Sequence, residues 1–287
     1  MASLRDIKQR IAGVKKTQQI TRALKMVAAV KFRKAQQSIL QARPYANRLN
    51  EIVGHIAHDL DRNLHPLLAE RAPARIGYVI ITADQGLCGS FNANIIRRAE
   101  AEIRAQEGND VELILIGKKG VDYFGKRGYK VIGNYLKFFK DLSFKQADEI
   151  EDIIRESYLK EQLDRIYLVY NEFKSAMRQD VTIEQILPII PIIPDESKNL
   201  VEFNFEPDAV KILDVLIPRY LNVKIWRVLL ESYTSEMGAR MTAMENATEN
   251  SNNIINDLTL EYNKLRQEKI TSEILEIVSG SEALKGS

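Results

Sequence analysis

Two long segments without proline, one at each end of the chain, constrain the fold more than any other feature. None of the eight prolines falls in residues 1–43 or 219–287, while nine of the fourteen glycines lie between Gly77 and Gly133. Apolar residues in both end segments recur at steps of three and four, which is the repeat of a coiled-coil helix. The sequence therefore predicts two long helices that flank a domain rich in loops.

The N-terminal apolar stripe occupies residues 4–60. Ser3 followed by Asp6 resembles a capping box and marks the start of the helix. Pro44 removes one backbone hydrogen bond, but the stripe continues in register beyond it, so we expect a kink rather than an end. The prediction is a coiled-coil helix over residues 1–60, followed by a linker over residues 61–75.

The C-terminal stripe runs from Trp226 to Leu265 and predicts a coiled-coil helix over residues 207–280. Gly280 is expected to end this helix, which leaves residues 281–287 as a tail. Pro218 either kinks the helix or opens its second section.

Polar residues interrupt both stripes. Gln18 and Thr21 break the N-terminal one, and a run with four asparagines, Asn250 to Asn256, lies within the C-terminal one. Ile254 and Ile255 keep the repeat through that run, so the helix is predicted to continue across it.

Between the helices, residues 76–206 predict a Rossmann-like α/β domain with a mostly parallel sheet, because strand and helix patterns alternate. The predicted strands are residues 76–82, 111–116, 129–132, 165–171, 181–187 and 201–205. The predicted helices are residues 91–105, 118–127 and 144–160.

Both long helices leave the same domain, so they are expected to pair antiparallel, with the C-terminal helix overhanging by roughly 25 Å at ~1.5 Å per residue. The overhang lies at about residues 267–280. Its apolar residues would have no partner helix within the chain, and another protein is expected to bury them. They are Ile270, Ile274, Leu275, Ile277 and Val278.

The net charge of +2 hides an uneven distribution, because the first 50 residues hold twelve Lys and Arg against a single acidic residue, Asp6. A basic helix of this kind binds either the phosphates of a nucleic acid or an acidic protein sleeve. The segment lacks an aromatic platform on which the bases of a single-stranded nucleic acid would stack. Composition alone leaves both alternatives open.

Several classes of protein are excluded or disfavoured. A single cysteine, Cys88, excludes an internal disulfide framework and fits a reducing compartment. No secretory signal and no apolar stretch of membrane-spanning length is visible, which predicts a soluble or peripheral protein. The three histidines lack a completing Cys or Glu ligand, so no metal site and no cofactor are expected.

The segment from Asp84 to Ser90 follows the first predicted strand and leads into a helix, as a phosphate-binding turn would. Its Gly-x-x-Gly spacing differs from the dinucleotide and P-loop motifs. A structural turn is therefore favoured over an enzyme that binds a nucleotide, and Cys88 is expected to be a buried thiol rather than a nucleophile.

Three motifs carry a family resemblance. They are the stretch Ile20 to Ala29, the segment Asp84 to Gly89 with Asn92, and the end from Tyr262 to Gly280. Together they closely resemble the γ subunits of F-type ATP synthases, over essentially the full chain. The absence of a cysteine pair or redox insert and the start at Met1-Ala2-Ser3 resemble the bacterial type, at the cytoplasmic face of the plasma membrane.

The resemblance implies a non-catalytic central-stalk rotor that turns inside a ring of α and β subunits and binds the ε subunit and the c ring, without nucleic acid. Contact and coupling with the β subunits is implied for Arg22, Leu24, Lys25, Arg240, Arg266, Gln267, Thr271 and Glu273. Phe205 and Glu206 match the foot that meets the c ring and ε. Leu24 replaces the Met of some relatives, a change that conserves volume.

Overall fold

The computed structural model describes residues 3–59, 65–106, 108–140, 142–190 and 209–285. Five helices and five strands follow one another along this part of the chain. In order they are α1 (Leu4–Asp59), β1 (Arg75–Ile81), α2 (Phe91–Arg104), β2 (Asp110–Ile116), α3 (Lys118–Phe124), β3 (Lys130–Tyr135), α4 (Phe144–Leu159), β4 (Arg165–Phe173), β5 (Gln179–Leu187) and α5 (Ala209–Lys285). A short 3₁₀ turn, Phe138–Lys140, precedes α4.

The two long helices continue through the residues at which the sequence predicted a kink, a new section or an end. α1 continues through Pro44 and α5 through Pro218. α5 also passes Gly280 and ends at Lys285, because Ala283, Leu284 and Lys285 are strong helix formers that outweigh one glycine. The capping box at the start of α1 is confirmed, since the Ser3 amide donates to Asp6 Oδ2 and the Asp6 amide donates to Ser3 Oγ.

The chain divides into two compact units, of which the larger is Ala28–Arg240. Its five strands form one sheet in the order β3-β2-β1-β4-β5. The first four strands are parallel, and β5 returns antiparallel to β4 through a tight hairpin. The predicted mostly parallel α/β sheet is therefore confirmed. The predicted strand over residues 201–205 lies outside the described residues.

Both faces of this sheet are covered, which explains why its central strands read as unbroken apolar runs. Val79 and Ile81 of β1 belong to one core, with residues of α4 and of both long helices. Tyr78 and Ile80 face the opposite core, which contains residues of α2 and α3. Within this unit, α4 and parts of both long helices thus cover one face of the sheet, and α2 and α3 cover the other.

The smaller unit consists of Met1–Val27 and Met241–Ser287. Its two helices pair antiparallel, because Lys25 contacts Glu245 while the earlier residue Thr21 contacts the later residue Thr248. The predicted antiparallel coiled coil is confirmed for this unit.

The polar residues of the stripes lie inside the helix pair rather than interrupting it. Thr21 is buried, and Gln18 is half-buried and donates a hydrogen bond to the side chain of Asn252. Ser251 is also buried and donates to the carbonyl of Ala247 within its own helix. The seam therefore contains polar side chains that hydrogen-bond either across the helix pair or to a carbonyl of their own helix.

Among the described helices, none combines the length and the apolar character that crossing a membrane requires.

Candidate functional site

The first predicted contact set lies on α1 in the smaller unit. Arg22 is exposed, whereas Leu24 and Lys25 are half-buried. The ammonium Nζ of Lys25 lies 2.5 Å from Oε1 of Glu245. Both side chains of this pair remain partly open to solvent, at 37% and 53% exposure. Lys25 is therefore held by its own chain on one side and accessible on the other.

The second predicted set lies on the last part of α5, where Arg266, Gln267, Thr271 and Glu273 are all exposed. Thr271 donates its hydroxyl hydrogen bond to the carbonyl of Gln267, one turn earlier. Every side chain described from residue 266 to residue 279 is exposed, which confirms that the helix pair ends near Leu265. Lys25 of the first set lies beside Glu245 of α5, and the second set begins about 30 Å further along that helix, at ~1.5 Å per residue.

This overhang is apolar as well as exposed. The five aliphatic residues that the sequence placed here expose between 46% and 72% of their surface. They are Ile270, Ile274, Leu275, Ile277 and Val278. A lone helix that displays this much aliphatic surface to water requires a covering partner.

Arg240, the remaining contact residue predicted on α5, lies in the larger unit and is buried. Its Nη1 donates to Oε1 of Glu236 at 2.6 Å. Its Nη2 donates to the carbonyls of Gly86 at 3.2 Å and Gln85 at 3.4 Å. Burial raises the pKa of Glu236 above its ordinary value, and the charge and hydrogen bond of Arg240 oppose that shift. Arg240 thus ties α5 to the turn that follows β1.

That turn, residues 84–90, is the segment that resembled a phosphate-binding loop. The carbonyls of Gln85 and Gly86 accept hydrogen bonds from Arg240, so the guanidinium already occupies the side of the turn that they face. Asn92 of α2 accepts from the amide of Ala83 and donates to Cys88 Sγ. These contacts favour the interpretation of the segment as a structural turn.

Cys88 is 2% exposed, and burial raises the pKa of its thiol. A raised pKa keeps the thiol protonated, which disfavours a nucleophilic role. Within the part of the chain that is described, no group of three His, Cys, Asp or Glu side chains is arranged to hold a metal ion.

The structure adds acidic partners that the sequence reasoning missed, Glu236 for Arg240 and Glu245 for Lys25. Glu236 and Arg240 are four apart on one helix, a spacing that signals an ion pair. Glu245 became identifiable only with the register of the two helices. Phe205 and Glu206, the predicted foot, lie outside the described residues.

Comparison with known proteins gives matches over the whole chain. A family model described as ATP synthase matches residues 3–284. The ATP synthase gamma chain of Geotalea uraniireducens is 43% identical over 288 residues. The alignment covers 100% of this chain and 100% of that relative. The ATP synthase gamma chain of Chlorobaculum tepidum is 45% identical, over 99% of this chain and 100% of its own.

Solved structures agree on the fold. A chain in the OSCP, F1 and c-ring structure of the Euglena gracilis mitochondrial ATP synthase, in rotational state 3, aligns with a TM-score of 0.69. It is 23% identical, and the alignment covers 98% of this chain and 94% of that chain. A chain of the rotor of the same enzyme, in rotational state 1, gives a TM-score of 0.67 at 22% identity, over 93% and 98% of the two chains.

Proposed function

This chain belongs to the family of ATP synthase gamma chains, and on that premise we propose that it is the central-stalk rotor of an F-type ATP synthase. The family role is that of a non-catalytic subunit. In this proposal the chain turns inside a ring of α and β subunits and couples ion flow through the c ring to ATP synthesis or hydrolysis on β.

The observation that carries the proposal is the exposed aliphatic end of α5, from Ile270 to Val278. Burial of this surface stabilises a complex by about 25 cal/mol for each Å² that leaves water, so enclosing it adds substantially to the free energy of binding a partner. A sleeve formed by a ring of subunits encloses a helix from all sides. Such a sleeve also leaves the helix able to turn, because aliphatic contacts are not directional.

The mechanism follows from asymmetry. A single helix pair cannot present the same face to three β subunits at once, so each β subunit is biased toward a different conformation. Turning the rotor exchanges these biases among the three subunits. In this proposal Arg22, Leu24 and Lys25 face acidic loops of β at the lower level of the ring.

A second level of contact is proposed at the overhang. Arg266, Gln267, Thr271 and Glu273 are polar and exposed, and they supply the hydrogen bonds and charges for the upper loops of β. Arg240 is proposed to support this coupling from within the larger unit.

The base of the rotor is proposed to bind the ε subunit and the c ring through a foot that includes Phe205 and Glu206. This arrangement makes the protein peripheral to the membrane, attached through the c ring. The bacterial origin of the relatives supports a location at the cytoplasmic face of the bacterial plasma membrane.

Reconstitution tests the proposal. The purified chain is mixed with α and β subunits, ATP hydrolysis is followed, and rotation of a bead on the chain is observed. We expect the chain alone to hydrolyse no ATP and the mixture to rotate. A variant truncated after Leu265 should melt at the same temperature as the full chain, since the removed side chains from residue 266 to residue 279 are exposed, but rotate with less torque.

The alternatives give different results. Tight nucleotide binding by the lone chain in calorimetry would favour an enzyme built on the middle sheet. Salt-dependent binding of DNA or RNA at physiological ionic strength would favour a nucleic-acid function of the basic helix. Full torque from the truncated variant would contradict the role given to the overhang.

A further inference from the structure

Three aromatic side chains from three helices meet at one cavity of the larger unit. Tyr45 of α1, Phe144 at the start of α4 and Trp226 of α5 line a space of about 390 Å³, which is the size of a small-molecule site. The rings of Phe144 and Trp226 pack edge to face, with their centroids 5.9 Å apart. Tyr45 and Phe144 nevertheless expose 57% and 47% of their surface. The cavity therefore offers aromatic surface that a flat ring can cover.

Positive charge lies at the edge of this cavity. Arg219 lines the cavity and is exposed, and no acidic side chain among the described residues forms an ion pair with it. α4 begins at Phe144 and has no acidic residue in its first turn, so the positive end of its helix dipole adds to the charge of Arg219. A guanidinium binds a carboxylate through two parallel hydrogen bonds. The charge therefore favours a ligand with a carboxylate.

Asn222 adds a polar group that lacks a partner within the chain. It lines the same cavity and is 8% exposed. Its Nδ2 donates a hydrogen bond to Oδ1 of Asp148, which fixes the orientation of the amide. Its Oδ1 is buried and accepts no hydrogen bond from the described part of the chain. A buried acceptor without a donor is costly, so a ligand that brings an N–H or O–H group to it gains affinity.

We propose that this cavity binds a small aromatic carboxylate that carries an N–H or O–H group. The ring of the ligand lies among Tyr45, Phe144 and Trp226, its carboxylate pairs with Arg219, and its donor binds Oδ1 of Asn222. The ligand contacts α1, α4 and α5 at once, so its binding stabilises the larger unit. This site goes beyond the proposed rotor function and does not depend on it.

The test uses the full chain alone and three related probes. Trp226 is the single tryptophan of the sequence, so one indole N–H cross-peak in a proton–nitrogen NMR spectrum reports binding at this cavity. We expect indole-2-carboxylate to shift this peak saturably, with a Kd of about 0.1–1 mM for a probe of this size. Indole lacks the carboxylate and should bind about tenfold more weakly. The N-methylated form of indole-2-carboxylate lacks the donor and should bind about fivefold more weakly.

A variant of the cation tests the same contact from the side of the protein. Arg219→Gln should keep the fold, because Arg219 is exposed. It should weaken the binding of indole-2-carboxylate about tenfold and leave the binding of indole unchanged. Arg97→Gln is the matched control, because Arg97 is also exposed but lines a different cavity, between α2 and α3. It should bind all three probes like the wild type.

Several results would overturn the proposal. One is the absence of a saturable shift of the Trp226 peak at about 10 mM indole-2-carboxylate. Equal affinities for indole and indole-2-carboxylate, or wild-type affinity in the Arg219→Gln chain, would show that the cavity selects no anion. Equal affinity for the N-methylated probe would overturn the role given to Asn222. None of these results bears on the proposed rotor function, because the ring of α and β subunits takes no part in the measurement.

Discussion

Nη1 of Arg240 lies 2.6 Å from Oε1 of Glu236, one turn earlier on α5, and the two side chains are 11% and 5% exposed. A buried ion pair of this kind is costly to break on one side, because the remaining charge is left buried without its partner. The pair thus holds the guanidinium that also donates to the carbonyls of the turn after β1.

We predict that Arg240→Ala lowers the free energy of unfolding by about 3–5 kcal/mol, since it leaves the Glu236 carboxylate unpaired. Urea denaturation followed by circular dichroism measures this loss. Arg266→Ala is the matched control, because Arg266 is exposed, and it should change stability by less than about 0.5 kcal/mol. A loss below about 1 kcal/mol for Arg240→Ala would show that Glu236 finds another partner.

The pH dependence of folding should reveal Asp164, which precedes β4 and is 4% exposed. Its Oδ2 accepts from the backbone amides of Ala74 and Arg75, and its Oδ1 accepts from Nη2 of Arg75 at 2.8 Å. Hydrogen bonds from Arg75 hold the pKa of Asp164 below its ordinary value of 3.8. A lowered folded-state pKa contributes stability that is present above pH 3.8 and is lost as the pH falls through the folded-state pKa.

Asp164→Asn should therefore cost about 2–3 kcal/mol at neutral pH, as expected for hydrogen bonds to a charged group. It should also flatten the decline in stability below about pH 4, because the titrating carboxylate is gone. Unfolding measured at several pH values tests both effects. An acid decline in the variant as steep as in the wild type would assign the decline to other carboxylates.

Lys25 and Glu245 form a more exposed pair, so a smaller effect is predicted. A double-mutant cycle with Lys25→Met and Glu245→Gln should give a coupling energy of at most about 1 kcal/mol, decreasing with added salt. In the assembled rotor, Lys25→Met should weaken the coupling between rotation and ATP hydrolysis, whereas Glu245→Gln should leave it intact, because the proposed contact with β requires the cation. An equal loss of this rotational coupling in both variants would indicate that the ion pair within the chain, rather than the contact with β, is what matters.

Much of the fold was predictable because it follows from local patterns. The stripes gave both long helices, and the apolar runs of β1, β2 and β4 gave the sheet, since burial on both faces leaves continuous apolar sequence. The exposed overhang, including Ile274 and Ile277, followed from the unequal lengths of the two helices. These features depend on periodicity, which a single sequence displays directly.

Features that depend on register or on distant pairing were not predictable. Thr21 looked like a break in the stripe, yet it is buried because Thr248 of the partner helix lies opposite. The contact of Arg240 with Gly86 joins residues 154 positions apart. No local pattern encodes such a pair. The glycine at position 280 led to the prediction of a helix end there. A single glycine destabilises a long helix only weakly, and the sequence does not display that balance.

The polar layer of the smaller unit leads to a final prediction. The hydroxyl oxygens of Thr21 and Thr248 lie 2.8 Å apart, and each hydroxyl also contacts a carbonyl of its own helix. Because each threonine keeps that local bond when the other is replaced, Thr21→Val or Thr248→Val alone should cost less than about 1 kcal/mol.

The double replacement by valine removes both hydroxyls and leaves an apolar contact of similar shape. It should be more stable than the sum of the single effects, because no hydroxyl then remains buried in the seam. Hydrogen exchange of the α1 amides around Thr21 measures this locally. Thr259→Val is the control, since Thr259 is exposed and its hydroxyl donates only to Ile255, and exchange there should barely change. If exchange in the double variant is accelerated by at least the product of the two single accelerations, the hydroxyl pair stabilises the helix pair, and the layer is then an attractive element rather than a tolerated one.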